Sequence, residues 1–162
     1  MKTAPLISPS CPHLAFEVLA DLRLLVSSQS EENPTDAEWD AWLLAADTLG
    51  EIPGRFRLLV LTEGGRPTRE QLGRLSARKR AAEEKLGKKQ SEPLAALVTS
   101  STATRFIVSA LTFVNPAIRC FAPTSLAEAY THLGLTDPER KSAAAAIERL
   151  RAIVVSEPSA KS

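Results

Sequence analysis

Residues 55–68 of this chain read Arg55-Phe56-Arg57-Leu58-Leu59-Val60-Leu61-Thr62-Glu63-Gly64-Gly65-Arg66-Pro67-Thr68, and they decide its fold. The hydrophobic run from Phe56 to Leu61 is bounded by turn residues on both sides, which is typical of a strand buried on both faces of a sheet. The glycine pair then permits a tight turn, and Thr68 begins a helix-capping pattern with Gln71. A buried strand that leads through a turn into a helix predicts an α/β fold with this strand at its centre.

A hairpin and a first helix are predicted before this stretch. Two short apolar runs, 14–18 and 22–26, have a spacing that suits paired strands. Thr35 and Glu38 form a capping box, so a helix is predicted to begin there and to end at Gly50. Trp39 continues the apolar stripe of this helix. Trp42 is predicted to be the more exposed tryptophan and a candidate interface residue, because large aromatic side chains often anchor interfaces.

Strands and helices continue to alternate after residue 68. The second helix is predicted to direct Leu72 and Leu75 inward, and apolar runs at 94–98 and 118–121 predict two further strands. A hydrophobic helix is predicted over 106–114, between these strands. Another helix stops at Gly134, and the cap Thr136-Asp137-Pro138-Glu139 begins an added C-terminal helix. The expected fold is therefore a mixed sheet of about five strands with helical crossovers.

Length and composition fit one domain. The chain has 162 residues, of which 44% are hydrophobic and 24% charged, as in an ordinary globular protein. We expect a flexible leader at 1–12, the domain at 13–135, the added helix within 136–155 and a tail at 156–162. The leader lacks the design of a signal peptide. The cysteines, Cys11 and Cys120, do not indicate a disulfide framework, so a cytoplasmic location is expected.

Several function classes have little support in the sequence. The net charge of +1 gives no global attraction for nucleic acid, and the basic segment 66–89 has no aromatic residue for base stacking. The apolar segment 106–114 is shorter than the roughly 20 residues that span a membrane, so no membrane insertion is expected. His13 and His132 have no nucleophile nearby in sequence. We therefore expect no enzymatic activity, no bound metal and no cofactor.

Charge is distributed unevenly along the chain. Residues 66–89 contain nine basic and three acidic residues, whereas residues 31–51 contain seven acidic and no basic residues. Such segments can steer a partner of opposite charge, but solvated helix faces or attraction between neighbouring helices account for them equally well. We favour solvated helix faces.

Three stretches resemble a known family. They are residues 55–61 running into Gly64-Gly65-Arg66-Pro67, then Leu97-Val98-Thr99-Ser100-Ser101 before a helix closing on Phe113-Val114-Asn115-Pro116, and Leu126-Ala127-Glu128-Ala129. Together with the order of the predicted elements, they resemble STAS domains over roughly 14–135. The chain is most similar to the divergent bacterial branch termed STAS/SEC14-like.

The resemblance implies a regulatory signalling module that binds another protein. In the anti-anti-sigma members, a Ser or Thr at the start of the second helix is phosphorylated and controls docking onto a kinase. The nearest hydroxyl here is that of Thr68, although Gly64-Gly65-Arg66-Pro67 stands in place of the family's Asp-Ser-Ser-Gly signature. The lipid-binding branch implies an alternative, a carrier of a small apolar ligand. A self-associating structural module is a further alternative.

The predicted binding face is formed by two turns. Because loops at the carboxyl ends of strands meet at one edge of the sheet, the turns 62–68 and 99–105 are expected to lie together. Exposed amides, helix starts and arginines there favour an anionic group or a protein partner, although the same hydroxyls and glycines also serve as ordinary caps and turns. The predicted residues are Thr62, Gly64, Gly65, Arg66, Thr68, Ser100, Ser101, Thr102 and Arg105.

Overall fold

The structure is a computed structural model. It describes residues 6–7, 13–52, 54–65, 67–86, 93–102, 104–105 and 117–156. The predicted site residue Arg66, the helix predicted over 106–114, most of the leader and most of the tail lie outside the described residues.

The described elements alternate as the sequence predicts. The strands are β1 (Leu6–Ile7), β2 (Leu14–Leu19), β3 (Leu24–Gln29), β4 (Arg57–Thr62), β5 (Leu94–Thr99) and β6 (Ile118–Phe121). The helices are α1 (Asp36–Gly50), α2 (Arg69–Leu86), α3 (Leu126–His132) and α4 (Asp137–Ser156). Short 3-10 turns at Ala20–Leu22 and Pro123–Ser125 connect β2 to β3 and β6 to α3.

All six strands form one sheet in chain order. β1, β2 and β3 pair antiparallel, and β3 to β6 pair parallel. The predicted α/β fold with a mixed sheet is therefore confirmed, with β4 in its interior. The sixth strand is the two-residue β1, in which Leu6 pairs with Val18 and Ile7 with Glu17. Residues 6 and 7 were expected to belong to a flexible leader, whereas in the structure they form a strand that pairs with β2.

The two faces of the sheet carry separate cores. Leu25 packs with α1 in one core, whereas Leu24 and Val26 pack with α3 and α4 in the other. Successive side chains of a strand point to opposite faces, so β3 contributes to both cores and is buried along its whole length. The connections from β3 to β4 and from β4 to β5 contain α1 and α2, and both lead to the next strand in the same direction across the sheet. Right-handed crossovers of this kind place their helices on the same face. The other face is covered by α3 and α4.

Both tryptophans of α1 are buried, so the prediction that Trp42 is exposed is wrong. Trp42 is 5% exposed, its Nε1–H donates to Ser27 Oγ at 2.7 Å, and its ring stacks on Trp39 at 5.0 Å between centroids. The hydroxyl on β3 satisfies the indole N–H, which makes burial of Trp42 favourable. Leu72 of α2 is likewise 47% exposed, contrary to its predicted inward direction.

Some residues of the acidic and basic segments form ion pairs between α1 and α2. Arg74 lies 3.1 Å from Asp36 and 3.4 Å from Asp40, and Arg78 pairs with Asp47. These side chains are at least 40% exposed, and exposed pairs typically contribute about 0–1 kcal/mol each. At these positions attraction between neighbouring helices accounts for the acidic and basic segments.

Glu139 fastens the start of α4 to the amino end of β4. Its carboxylate accepts hydrogen bonds from the Thr136 N–H at 2.9 Å and from the Arg57 guanidinium at 3.2 Å. Arg57 also donates to the carbonyls of Leu133 and Leu22. The bond from the Thr136 N–H is the main cause that holds the pKa of the Glu139 carboxyl below its ordinary value, and Arg57 lowers this pKa further.

The lowered pKa of Glu139 predicts a pH-dependent stability. A carboxyl whose pKa is lower in the folded than in the unfolded chain stabilises the fold above its unfolded pKa, and this stabilisation is lost as pH falls through the folded pKa. We expect Glu139→Gln to lower the free energy of unfolding at pH 7 by about 1 kcal/mol, because hydrogen bonds to a charged group are stronger. The difference should shrink below the ordinary value of 4.5.

Urea unfolding of both proteins at pH 7, 5, 4 and 3 measures this difference. The glutamine side chain of the variant keeps an oxygen that can accept the Thr136 bond, so the comparison isolates the charge. A difference that stays constant over this pH range would contradict the prediction.

Candidate functional site at the carboxyl edge of the sheet

The two predicted turns lie side by side. Gln29, Thr62 and Thr99 are the last residues of β3, β4 and β5, and the register pairs Gln29 with Thr62 and Thr62 with Thr99. The turns after Thr62 and Thr99 therefore leave neighbouring strands at the same edge. The expected juxtaposition is present, and the role of the turns in binding stays a prediction.

Thr62, Gly64 and Gly65 of the first turn form hydrogen bonds within the turn and to the loop after β3. Thr62 Oγ1 donates to the Gly65 carbonyl at 2.7 Å and accepts from the Gly64 N–H at 3.1 Å. The Gly65 N–H donates to the Ser30 carbonyl at 2.9 Å. Gly64 has a φ of 133°, a backbone conformation that only glycine adopts readily. Because both glycine N–H groups already have acceptors, this part of the predicted face is structural.

Thr68 caps α2 as predicted. Its Oγ1 accepts from the Gln71 N–H at 3.2 Å, and its N–H donates to Gln71 Oε1 at 2.9 Å. Gln71 is 1% exposed, and its Nε2 donates to the Pro34 carbonyl and to Asp36 Oδ1, each at 3.0 Å. The start of α2 is thus joined to the start of α1, a link that the capping pattern could not reveal. Phosphorylation of Thr68 stays a prediction.

The second turn begins a further helix. Thr99 Oγ1 accepts from the Ser101 N–H at 3.1 Å, and Ser101 Oγ accepts from the Thr104 N–H at 3.2 Å. Residues 102, 104 and 105 are helical, so Ser101 is the N-cap. Ser100 and Thr102 are exposed and project from this turn.

A cleft lies beside the second turn and the end of β6, and we term it the edge cleft. It has a volume of about 610 Å³ and is widely open to solvent. The described residues that line it belong to the second turn, β6, the connection after β6 and the start of α3, and they are Thr102, Arg105, Arg119, Cys120, Phe121, Ala122, Ser125 and Glu128.

Two arginines give the edge cleft its positive character. Arg105 Nε is buried, and the structure gives it no hydrogen-bond partner among the described residues. Arg119 is exposed, and its guanidinium carbon lies 5.7 Å from the centre of the Phe121 ring. Glu128 is the acidic residue among the described residues of the lining. An anionic group in the cleft would lie near two positively charged residues of its lining, Arg105 and Arg119.

Cys120 lines the edge cleft as a neutral thiol. Burial raises the pKa of the Cys120 thiol, and the nearby charge of Arg105 acts in the opposite direction without cancelling that rise. Reactive cysteines have a lowered pKa, because the thiolate is the nucleophile. The environment of Cys120 therefore does not activate it.

The edge cleft contains only part of the predicted face. Thr102 and Arg105 belong to its described lining, which includes none of the described residues of the first turn. Sequence reasoning missed Arg119, Ser125 and Glu128. For Arg119 a signal existed, since a charged residue interrupts the apolar run Ile118-Arg119-Cys120-Phe121.

The structure brings His13 close to a serine and a glutamate. His13 Nδ1 lies 3.4 Å from Ser30 Oγ, and His13 Nε2 lies 3.3 Å from Glu32 Oε2. A nucleophile and its base usually approach to about 2.6–3.2 Å. Ser30 Oγ also accepts from the Glu32 N–H at 3.1 Å, which is the bond of a serine turn. We therefore assign this cluster a structural role.

The other histidine supports the backbone between β5 and β6. His132 Nε2 lies 3.1 Å from the carbonyl oxygens of both Ala95 and Ala117. Among the residues that the structure describes, no group of three or more His, Cys, Asp or Glu side chains could hold a metal ion. Within the same ranges, none of the helices has both the length and the apolar character to cross a membrane.

Comparison with known proteins does not assign the chain to a family. The STAS resemblance therefore rests on the sequence stretches and on the order of the elements. None of the protein-family models, curated proteins or solved structures with which the chain was compared matches it.

Proposed function

We propose that the protein is a non-catalytic, STAS-like regulatory module that acts in the bacterial cytoplasm and binds a signalling protein through the edge cleft. The group of the partner that enters the cleft is anionic, either a carboxylate or a phosphate. In this role the arginines hold a charged group, and no covalent bond is made or broken.

The observation that carries this proposal is the presence of two arginines, Arg105 and Arg119, in the described lining of one cleft. Charge-assisted hydrogen bonds from an arginine to a carboxylate or a phosphate are roughly twice as strong as neutral hydrogen bonds. A guanidinium matches the planar geometry of a carboxylate or phosphate. Arg119 provides a second guanidinium in the same cleft.

The exposure of the lining favours a protein partner over an apolar ligand. Thr102, Arg119 and Glu128 are exposed, so the edge cleft is an open surface feature with charged walls. A lipid carrier requires an enclosed, mostly apolar pocket. Lipid detected by native mass spectrometry of the purified protein would favour the carrier, and a mass that rises with concentration would favour self-association.

Charge reversal in the edge cleft tests the proposal. We expect Arg105→Glu and Arg119→Glu each to reduce capture of the partner from a bacterial lysate by at least about tenfold, because a like charge would face the anionic group. The measurement is quantitative mass spectrometry of proteins retained on the immobilised full chain.

Arg80→Glu is the matched control, since Arg80 is exposed on α2 and outside the cleft lining. It makes the same change of charge and should leave capture unchanged. Thermal unfolding of each variant confirms that the chain is folded. Unchanged capture by folded Arg105→Glu and Arg119→Glu would refute the proposed function.

A further inference from the structure

The helix α2 lies at the periphery of the fold. Among residues 69–85, the buried side chain is that of Gln71, and most of the others are exposed. The half-buried side chains are those of Leu75, Arg78, Ala82 and Glu83. In contrast, α4 buries the apolar side chains of Ala143, Ala146, Ile147 and Leu150. Because most helical stability in proteins comes from packing of an apolar face, α2 receives much less of it than α4.

The first turn of α2 is nevertheless anchored by hydrogen bonds. The Gln71 side chain accepts from the Thr68 N–H and donates to the Pro34 carbonyl. The backbone carbonyl of Gln71 accepts from the Trp39 Nε1–H at 2.9 Å, and this bond is buried. The Leu72 N–H donates to the Thr68 carbonyl at 2.9 Å. Buried hydrogen bonds are costly to break, because each separated group is left without a partner. The first turn is therefore fixed to α1.

The segment after the first turn is held to α1 in a different way. Leu75 packs against the core beneath α1. The other contacts are ion pairs of Arg74 with Asp36 and Asp40, and of Arg78 with Asp47, all between side chains that are at least 40% exposed. Salt screens exposed charges, since the Debye length falls from about 30 Å at 0.01 M to about 3 Å at 1 M. This attachment is therefore sensitive to salt.

Gly73 lies between the anchored turn and the segment held by ion pairs. A Cβ atom on Gly73 would meet nothing within 4 Å, so no close contact requires a glycine at this position. Glycine inside a helix is less favourable than alanine, because its backbone gains more freedom when the helix opens. The helix is thus weakest where its attachment changes from buried hydrogen bonds to exposed ion pairs.

We propose that residues 74–86, which we term the hinged arm, open from α1 about Gly73 as one unit while the first turn of α2 stays in place. Salt shifts this equilibrium towards the open form. Opening uncovers Asp40 and Asp47 of α1 and releases the arginines that bind them. Isolated helices shorter than about 12–15 residues are marginal in water, so the open arm loses its helix. The described lining of the edge cleft includes no residue of α2, so this switch is separate from that site.

Amide hydrogen exchange of the full chain, resolved by residue with NMR, tests the inference. Relative to unstructured rates, the amides of 78–82 should exchange at one common rate, at least about tenfold faster than the Leu72 amide and those of residues 146–150 in α4. Raising NaCl from 0.01 to 1 M should accelerate the arm at least about threefold relative to α4, because screening weakens its ion pairs.

Three outcomes of this measurement would overturn the inference. Equal protection of the Leu72 amide and the arm would show that α2 has no hinge. Rates that rise steadily from residue 78 towards the end of α2 would show ordinary fraying. A salt response no larger than that of α4 would show that charge does not hold the arm.

Variants test the hinge and the ion pair separately. Gly73→Ala should slow exchange of the arm about two- to fivefold, since alanine favours the closed helix. Arg78→Gln should accelerate it about two- to fivefold in low salt, and this effect should vanish at 1 M NaCl. The matched control is Arg80→Gln, on the exposed side of the same helix, which should stay within about 1.5-fold of the wild type. An unchanged rate in Gly73→Ala, or equal rates in Arg78→Gln and Arg80→Gln, would contradict the proposed switch.

Discussion

Gly65→Ala is expected to lower the free energy of unfolding by about 3 kcal/mol or more, since overpacking of a tight site typically costs about 1–3 kcal/mol and backbone clashes cost more. A Cβ atom on Gly65 would lie 2.1 Å from the Glu32 carbonyl oxygen and 2.5 Å from that of Ser30. Both atoms belong to the backbone and cannot rotate away. The substitution must therefore separate the first turn from the loop after β3. Urea unfolding measures the loss.

Gly73→Ala is the matched control for this substitution. Gly73 lies within α2, and a Cβ there meets nothing within 4 Å. Alanine favours the helix over glycine by about 0.5–1 kcal/mol, so this variant should be more stable than the wild type. Gly65→Ala with wild-type stability would show that the close approach of the turn to Ser30 and Glu32 is wrong.

Arg149→Met is expected to destabilise the fold by about 3 kcal/mol, the lower end of the range for removing one partner of a buried ion pair. The side chain of Glu17 is completely buried in β2, and Arg149 of α4 binds its two oxygens at 2.7 and 3.1 Å. Methionine keeps much of the apolar stem but leaves the carboxylate without a cation. We place the cost at the lower end because Arg149 itself is half exposed, so water can partly reach the site.

A double-mutant cycle separates the charge from the packing. Adding Glu17→Gln to Arg149→Met removes the unpaired charge, so the double variant should recover part of the lost stability. Arg151→Met, at an exposed position of the same helix, should stay within about 0.5 kcal/mol of the wild type. Chemical unfolding of the wild type, Arg149→Met, Glu17→Gln and the double variant gives the coupling energy. An Arg149→Met variant as stable as Arg151→Met would contradict the assignment.

The sequence by itself determined the kinds of elements and where several helices begin. Thr35 and Thr68 form the predicted capping boxes with Glu38 and Gln71. Thr136, predicted as a helix cap, forms the same pair of bonds with Glu139. A capping box needs only groups within one turn of chain, so its signal is local and readable. The α/β class followed in the same way, because an interior strand of a sheet that is covered on both faces, such as β4, has a continuous apolar pattern.

Only the tertiary structure decided which residues share a surface. The ion pair of Glu17 with Arg149 joins residues 132 positions apart, and burial of Trp42 depends on the Ser27 hydroxyl of another element. The edge cleft likewise combines Arg105 with Arg119 and Glu128, while the glycine turn that stood out in the sequence satisfies its own polar groups. Periodicity fixes which face a side chain takes on its own element, but contacts between elements follow from sheet register and helix packing, which no local pattern encodes.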